Sequence, residues 1–260
     1  MPDLADSLPL VGTASAVSGR LARGNSVRPD GARTAVRVVG RGRSATIEIV
    51  VGAILVLVTV VVGRRWADRS APNGVDRWFF ERISDTNSWL LTWVTYLRYP
   101  AVIIAGAFIV AALTVRRDRV RAAACLIGPV VALATSELLV KPAVGRTFDG
   151  LFSYPSGSTV GAAALAAAVV IATPARWRPV TLVVASAYAV WMTVAVIGLR
   201  WHYPTDAFAG VAYGLGTVLV VDGAAWWLAD QLGNRATGHR WRTSGPEPDP
   251  APAEAEPTTT

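Results

Sequence analysis

The sequence predicts an all-α, polytopic membrane protein: a bundle of six transmembrane helices with an interfacial amphipathic helix after the first span. Three observations carry that prediction. Hydrophobic residues make up 52% of the 260 and charged residues only 17%, with a mean hydropathy of +0.40, which is more apolar than a soluble domain. The apolar residues fall in runs long enough to cross a bilayer core of about 30 Å. Between the runs lie arginine-rich turns, which give a net charge of +7 and a pI near 10.3. Because these arginines cluster between apolar segments and are not interleaved with aromatics along a stripe, they point to membrane topology and anionic lipid headgroups, not to nucleic acid. Cys125, the single cysteine, lies inside an apolar run, so no intramolecular disulfide forms and no thiolate metal site is implied.

Residues 1–44 are rich in Gly, Ala, Ser and Arg and contain no apolar run long enough for a signal-peptide core, so they read as a disordered, basic cytoplasmic arm. The membrane domain is expected over residues 45–229. Its first span covers 46–62, rich in β-branched residues, with Glu48 as its only charge. Residues 64–99 carry Trp78, Phe79, Phe80, Trp89, Trp93 and Tyr96 among charges, the composition of a piece lying at headgroup depth. A second span is expected over 100–115 and a third over 122–140, interrupted by Pro129 and carrying the acid Glu137. Residues 141–158 turn polar and rich in Gly and Pro, which marks a loop. The fourth span, 159–173, is made of small residues suited to close helix packing. The fifth covers 180–199 and the sixth 207–228. Residues 230–260, with their Pro, Glu and Thr, have little to bury and read as a disordered cytoplasmic tail.

Six spans put both termini on one side. The arginines of the N-terminal arm, of the 116–121 and 176–178 turns and of the tail outnumber the basic residues of the opposite side, so the positive-inside rule places both termini in the cytoplasm of a multi-pass plasma-membrane protein. The loop 141–158 and the stretch Gly198-Leu-Arg-Trp-His-Tyr-Pro-Thr-Asp206 then both face outward.

That shared face is where the chemistry gathers. His202 precedes Asp206 by four residues at the lip of a helix, and the pair has two readings. In one, Asp206 accepts a ring N–H of His202 and supports the imidazolium, leaving the other nitrogen to act as nucleophile or base. In the other, His202 is interfacial and Asp206 caps the helix after Pro204. Lys141 is the only lysine in a chain that otherwise uses arginine, and Glu137 stands one turn before it, placed to pair with it. Tyr154-Pro-Ser-Gly-Ser158 leads into the fourth helix, where Ser156, Gly157 and Ser158 either cap the helix or offer an anion the first amides and the helix dipole. With Arg146 and Arg200 nearby in sequence, these groups describe a phosphate pocket. One histidine and scattered acids make no metal-ligand set.

The stretches KPAVGRTFDG, YPSGS and RWHYPTDAFAG resemble, in order and placement, the three signature motifs of the type-2 phosphatidic acid phosphatase family. The resemblance covers about residues 46–228. It implies a six-helix core that removes phosphate from lipid phosphates without metal or cofactor, with a lipid phosphate as substrate and the membrane as setting. It further implies that Lys141 binds phosphate and that Ser156 and Gly157 cradle it. His202 would attack phosphorus to give a phosphohistidine, and Asp206 would orient His202.

Three departures stand beside the matches. Phe148-Asp149 occupies the Arg-Pro position of the first motif, leaving only Arg146. Ser158 replaces the second motif's histidine, the general acid, whose loss costs roughly 10²- to 10⁴-fold in rate. Val196 stands at the arginine position of the third motif, so Arg200 replaces that arginine only if its loop folds back. Two functional classes follow. One is a lipid phosphatase with an altered pocket, best suited to a good leaving group such as pyrophosphate. The other is a catalytically silent member that binds or translocates a phosphorylated lipid, or acts as a scaffold. A transporter or channel is weaker, because apart from Glu137 the spans carry almost no midplane charge. Oligomeric state is not legible.

Overall fold

The computed structural model describes residues 30–83 and 89–243, with side chains over 44–83 and 89–233. Among these residues the chain is helical except for short connections and one small hairpin. α1 (Asp30–Arg64) presents Val50, Val51, Ile54, Leu57, Val58 and Val61 on its exposed outer side. An apolar strip of that length belongs against lipid, not water. α2 (Gly74–Arg82) is started by a capping box in which Asn73 accepts the Asp76 N–H and Asp76 accepts the Asn73 N–H. α3 (Trp89–Thr95) and a 3₁₀ turn over Tyr96–Arg98 lead into α4 (Pro100–Thr114) through a 66° bend. Pro100 accounts for the break, since it disfavours helical backbone at Tyr99 and suits the first helical position.

α5 (Arg119–Thr135) is capped by Asp118, whose side chain accepts the Arg121 N–H. It runs straight through Pro129, which the sequence reading placed as an interruption, then widens into a π turn over Ser136–Val140 and ends in α6 (Lys141–Val144). Gly145, at φ +68°, stops the helix in the left-handed conformation that glycine accepts. The expected loop then holds a hairpin, β1 (Thr147–Phe148) against β2 (Leu151–Phe152), turned by Asp149-Gly150 with both φ values positive. α7 (Gly157–Ala172), α8 (Arg178–Gly198) and α9 (Pro204–Thr243) complete the bundle.

Alanine-rich α7 occupies the centre, touching α4, α5, α8 and α9, and its small side chains are what permit four neighbours. Ile103, Leu133, Val160, Tyr213 and Val218 form one core cluster, and Val94, Ala162, Met192, Val196 and Ile197 a second. α9 packs along α1 at a glycine crossing, where Gly52 and Gly216 face each other backbone to backbone.

The six expected spans correspond to fewer full-length ones. Among the described residues four segments are long and apolar enough to cross a membrane: Ser44–Arg64, Arg119–Val144, Ala175–Gly198 and Pro204–Gly233. The expected second span is α4, with 15 residues, and joins the Trp89–Arg98 segment only through the bend; the expected fourth is α7, with 16. At 1.5 Å per residue these reach only about 22–24 Å, short of the hydrocarbon core. Helix is also present over 30–44 and 230–243, inside the two segments expected to lack structure, while the remainder of both segments lies outside the described residues.

A Cβ at residue 216 would lie 2.8 Å from Gly52 O and 2.9 Å from Leu55 Cβ. Gly216→Val is therefore expected to lower stability by about 1–3 kcal/mol through overpacking, read as a lower thermal midpoint in detergent. Gly74→Ala, where nothing lies within 4 Å, serves as the neutral control.

Candidate active site

Two groups of polar residues occupy one end of the bundle, and they differ in kind. The first is sealed. Arg146, carried just past the Gly145 turn, has no exposed side-chain surface. Its Nη1 donates to Asp206 Oδ1 at 2.5 Å and to Thr205 Oγ1 at 2.8 Å, and its Nη2 to Asp76 Oδ2 at 2.6 Å. The Tyr203 and Trp66 rings lie against the guanidinium, 4.2 and 5.1 Å from their centroids. Asp76 also accepts the Thr205 N–H and hydroxyl. Arg146, expected to bind phosphate, is thus enclosed between two carboxylates and lines neither of the two hollows beside it.

The second group is open. A cavity of about 560 Å³ is lined by Glu137, Lys141, Gly157, Ser158, His202 and Arg98, and continues between Pro100 and Ile104 of α4 and Val130, Leu133, Ala134 and Leu138 of the α5 segment. A second hollow of about 350 Å³ shares Arg98, Lys141, Ser158 and His202 and reaches the hairpin and Arg200. Lys141 stands just after the π turn, a helix irregularity frequent at functional sites. Its Nζ meets Glu137 Oε1 at 2.8 Å. That carboxylate lies directly against Gly157: a Cβ there would collide with Oε1 and lie 3.5 Å from Lys141 Nζ. Ser156 is the α7 N-cap but makes no side-chain capping bond, and its buried Oγ has no partner. Its N–H donates to the Asp206 carbonyl at 3.0 Å, tying the start of α7 to the start of α9.

His202 is held by its backbone, since the Val196 carbonyl accepts the N–H groups of both Trp201 and His202. Burial lowers its pKa from 6.5 to about 4, helped by the nearby charge of Lys141, opposed by a backbone hydrogen bond with Ser153 and helped again by Arg98. The imidazole is therefore neutral at pH 7. The expected bond from Asp206 to His202 is not made: Asp206 Oδ1 is taken by Arg146, and both Asp206 Oδ2 and His202 Nδ1 are buried without a hydrogen-bond partner. Arg200, in the left-handed conformation at φ +56°, sends Nη2 to the carbonyls of Phe80 at 2.9 Å and Ile83 at 3.1 Å, where it caps α2. Among the described residues no three His, Cys, Asp or Glu side chains gather in a set for a metal ion.

The structure thus brings His202, Lys141, Glu137, Gly157 and Ser158 to one cavity and separates Arg146 and Asp206 from it. Two residues escaped the sequence reading. Asp76 announces itself only as the acid of an Asn-x-x-Asp capping box, which says nothing of its bond to Arg146. Arg98 gives no motif signal beyond preceding Tyr-Pro at a helix start.

Residues 128–229 match the family model described as the PAP2 superfamily. That match supports membership in the type-2 phosphatidic acid phosphatase superfamily for this part of the chain. No curated protein and no solved structure gives a significant match. The superfamily match begins in α5 and ends in α9, so it takes in every motif residue named above and leaves α1 to α4, with Asp76 and Arg98, outside it.

Arg146→Met is expected to cost about 3–5 kcal/mol in unfolding experiments in detergent, because it leaves two buried carboxylates unpaired. For His202, the unfolded chain binds a proton between pH 6.5 and about 4 that the folded chain does not, so the contribution of His202 to stability is lost as pH is lowered through that window. An NMR titration of the ring should show a midpoint near 4, and His202→Gln should remove that contribution, so that acidification between those values destabilises the variant less than the unaltered chain. A midpoint near 6.5 contradicts the buried, neutral ring.

Proposed function

We propose that the protein is a phosphatase for lipid phosphates or diphosphates, working without a metal through a phosphohistidine on His202. The observation that supports this reading most is the cavity that joins His202, Lys141 and the α7 start to an apolar slot between α4 and α5. A phosphate has Lys141, Gly157 and Ser158 for its oxygens, and a hydrocarbon chain has Pro100, Ile104, Leu133 and Leu138. The reading places this cavity on the outer face of the plasma membrane and both termini in the cytoplasm, on the strength of the arginine distribution.

The chemistry is written in two steps. The neutral imidazole attacks phosphorus with its ring nitrogen lone pair, and the bond to the leaving oxygen breaks with its electron pair on that oxygen. Lys141 and the uncapped amides at the start of α7 offset the charge on the transferring group, the main contribution that protein makes to phosphoryl transfer. Water then attacks the phosphohistidine, the P–N bond breaks with its pair on nitrogen, and the water's protons leave with inorganic phosphate. Because Ser158 supplies no proton to an alkoxide, the reading favours a leaving group that departs as an anion, as the phosphate of a diphosphate does. Asp206 Oδ2 and His202 Nδ1, both without other partners, are the atoms that join when the ring becomes cationic.

A second reading, a member that binds or moves a phosphorylated lipid without turning it over, is favoured by one observation: Asp206 is committed to Arg146 and not to His202. Labelled lipid phosphate and diphosphate separate the two. Turnover, with an acid-labile phosphoenzyme that disappears in His202→Ala, is the expected result. Binding without turnover, unchanged in His202→Ala, supports the second reading and sinks the first.

A further inference from the structure

Arg98 closes the 3₁₀ turn at the bend before α4, outside the segment that matches the superfamily. It lines both hollows, in each case with Lys141, Ser158 and His202. Its guanidinium lies 4.6 Å from the centroid of the Trp201 ring and 5.0 Å from that of Tyr99, which fixes the direction of the planar group. Trp201 is the residue before His202, so the arginine and the histidine are held by the same loop. Among the described residues Arg98 has no ion pair, and its Nε is buried without a hydrogen-bond partner.

A half-buried guanidinium with five donors and no carboxylate is an arrangement that needs an explanation, because desolvating a cation without a partner is costly. The three other cations described around the two polar groups have carboxylate or carbonyl partners, although Arg146 Nε, like Arg98 Nε, makes no hydrogen bond. Arg146 has two acids, Arg200 has two carbonyls, and Lys141 has Glu137. Arg98 has only ring faces and a cavity. Moreover, Glu137 already offsets the charge of Lys141, whereas Arg98 makes no ion pair among the described residues, Asp149 being the acid that lines the second hollow with it. Its position where the two hollows meet puts it beside any anion held at His202 and Lys141, on the side that leads to the hairpin.

We propose that Arg98 is an anion-binding residue of this cavity. It takes phosphate oxygens in a fork and carries the second phosphate when the ligand is a diphosphate. This rests on the phosphate-pocket reading and adds to it a ligand drawn from outside the three motifs. It also compensates for Phe148 and Val196, which stand where two arginines were expected from the resemblance.

The test uses the full chain in detergent micelles, with inorganic phosphate and inorganic pyrophosphate as probes and ³¹P NMR or calorimetry as the readout. Arg98→Met is expected to weaken phosphate binding at least tenfold and pyrophosphate binding more. Arg98→Lys should recover part of the loss for phosphate and less for pyrophosphate, since an ammonium lacks the fork. Guanidinium ion added to Arg98→Ala should restore binding in a saturable way, which a purely structural role would not produce. Arg98→Met or Arg98→Lys binding both probes as the unaltered chain does, while Lys141→Met loses phosphate, overturns the role of Arg98 and leaves the pocket reading standing. An unaltered chain that binds neither probe overturns both.

Discussion

One buried guanidinium holds the site end of this molecule together. Arg146 joins three elements far apart in sequence: α2 through Asp76, the hairpin through its own carbonyl, which accepts the Ser153 N–H at 2.8 Å, and the start of α9 through Thr205 and Asp206. Removing these charges from water is expensive, and the arrangement is tenable only because donors surround the acids. Asp76 alone receives Arg146 Nη2, two backbone N–H groups and the Thr205 hydroxyl. Asp206 is less well supplied, with one oxygen on Arg146 and the other without a partner. The cluster therefore fixes where α9 starts, and with it the loop that carries His202. Its contribution to chemistry is made through position.

That division separates the conserving work of the fold from the work of the cavity. Below the loop, charges are sealed and matched. Above it, Lys141, Arg98 and a neutral His202 face two joined hollows, lined among the described residues by the acids Glu137 and Asp149. The Glu137 carboxylate lies against Gly157 and on Lys141, where an incoming phosphate would need to be. An anion that enters must displace it or share Lys141 with it, so affinity here is a difference between two anions and not the sum of the attractions to one. The apolar slot between α4 and α5 offers an independent source of binding for a ligand with a hydrocarbon chain, roughly 25 cal/mol for each Å² of apolar surface covered.

The all-helical class and the positions of most helices were legible because a long apolar run has few alternatives once the backbone must satisfy itself. Span number was less legible. The bend at Pro100 and the shortness of α7 depend on packing: α7 is surrounded by other helices and need not reach both membrane faces to be buried. Pro129 read as an interruption, yet its neighbours in the bundle keep α5 helical on both sides of it. Within the site, Lys141, Gly157, Ser158 and His202 were legible from motif spacing because their meeting follows from the ends of adjacent helices. The enclosure of Arg146 was not, since charge on the right face says nothing of which acid will claim it, and Arg200 lines the second hollow while giving Nη2 to the carbonyls of Phe80 and Ile83. Asp206 shows the same limit: four residues from His202 in sequence, it pairs with an arginine 60 residues away.

The proposed function requires one cavity, formed by His202, Lys141 and the start of α7, to hold a phosphate. A structure determined with orthovanadate in lipid nanodiscs tests it most directly. Vanadate is expected seated against the His202 ring nitrogen, within hydrogen-bond distance of Lys141 Nζ and the Gly157 and Ser158 amides, with Glu137 moved away from Lys141. Vanadate found at another end of the bundle, or a cavity left empty at saturating vanadate with Glu137 still on Lys141, would contradict it.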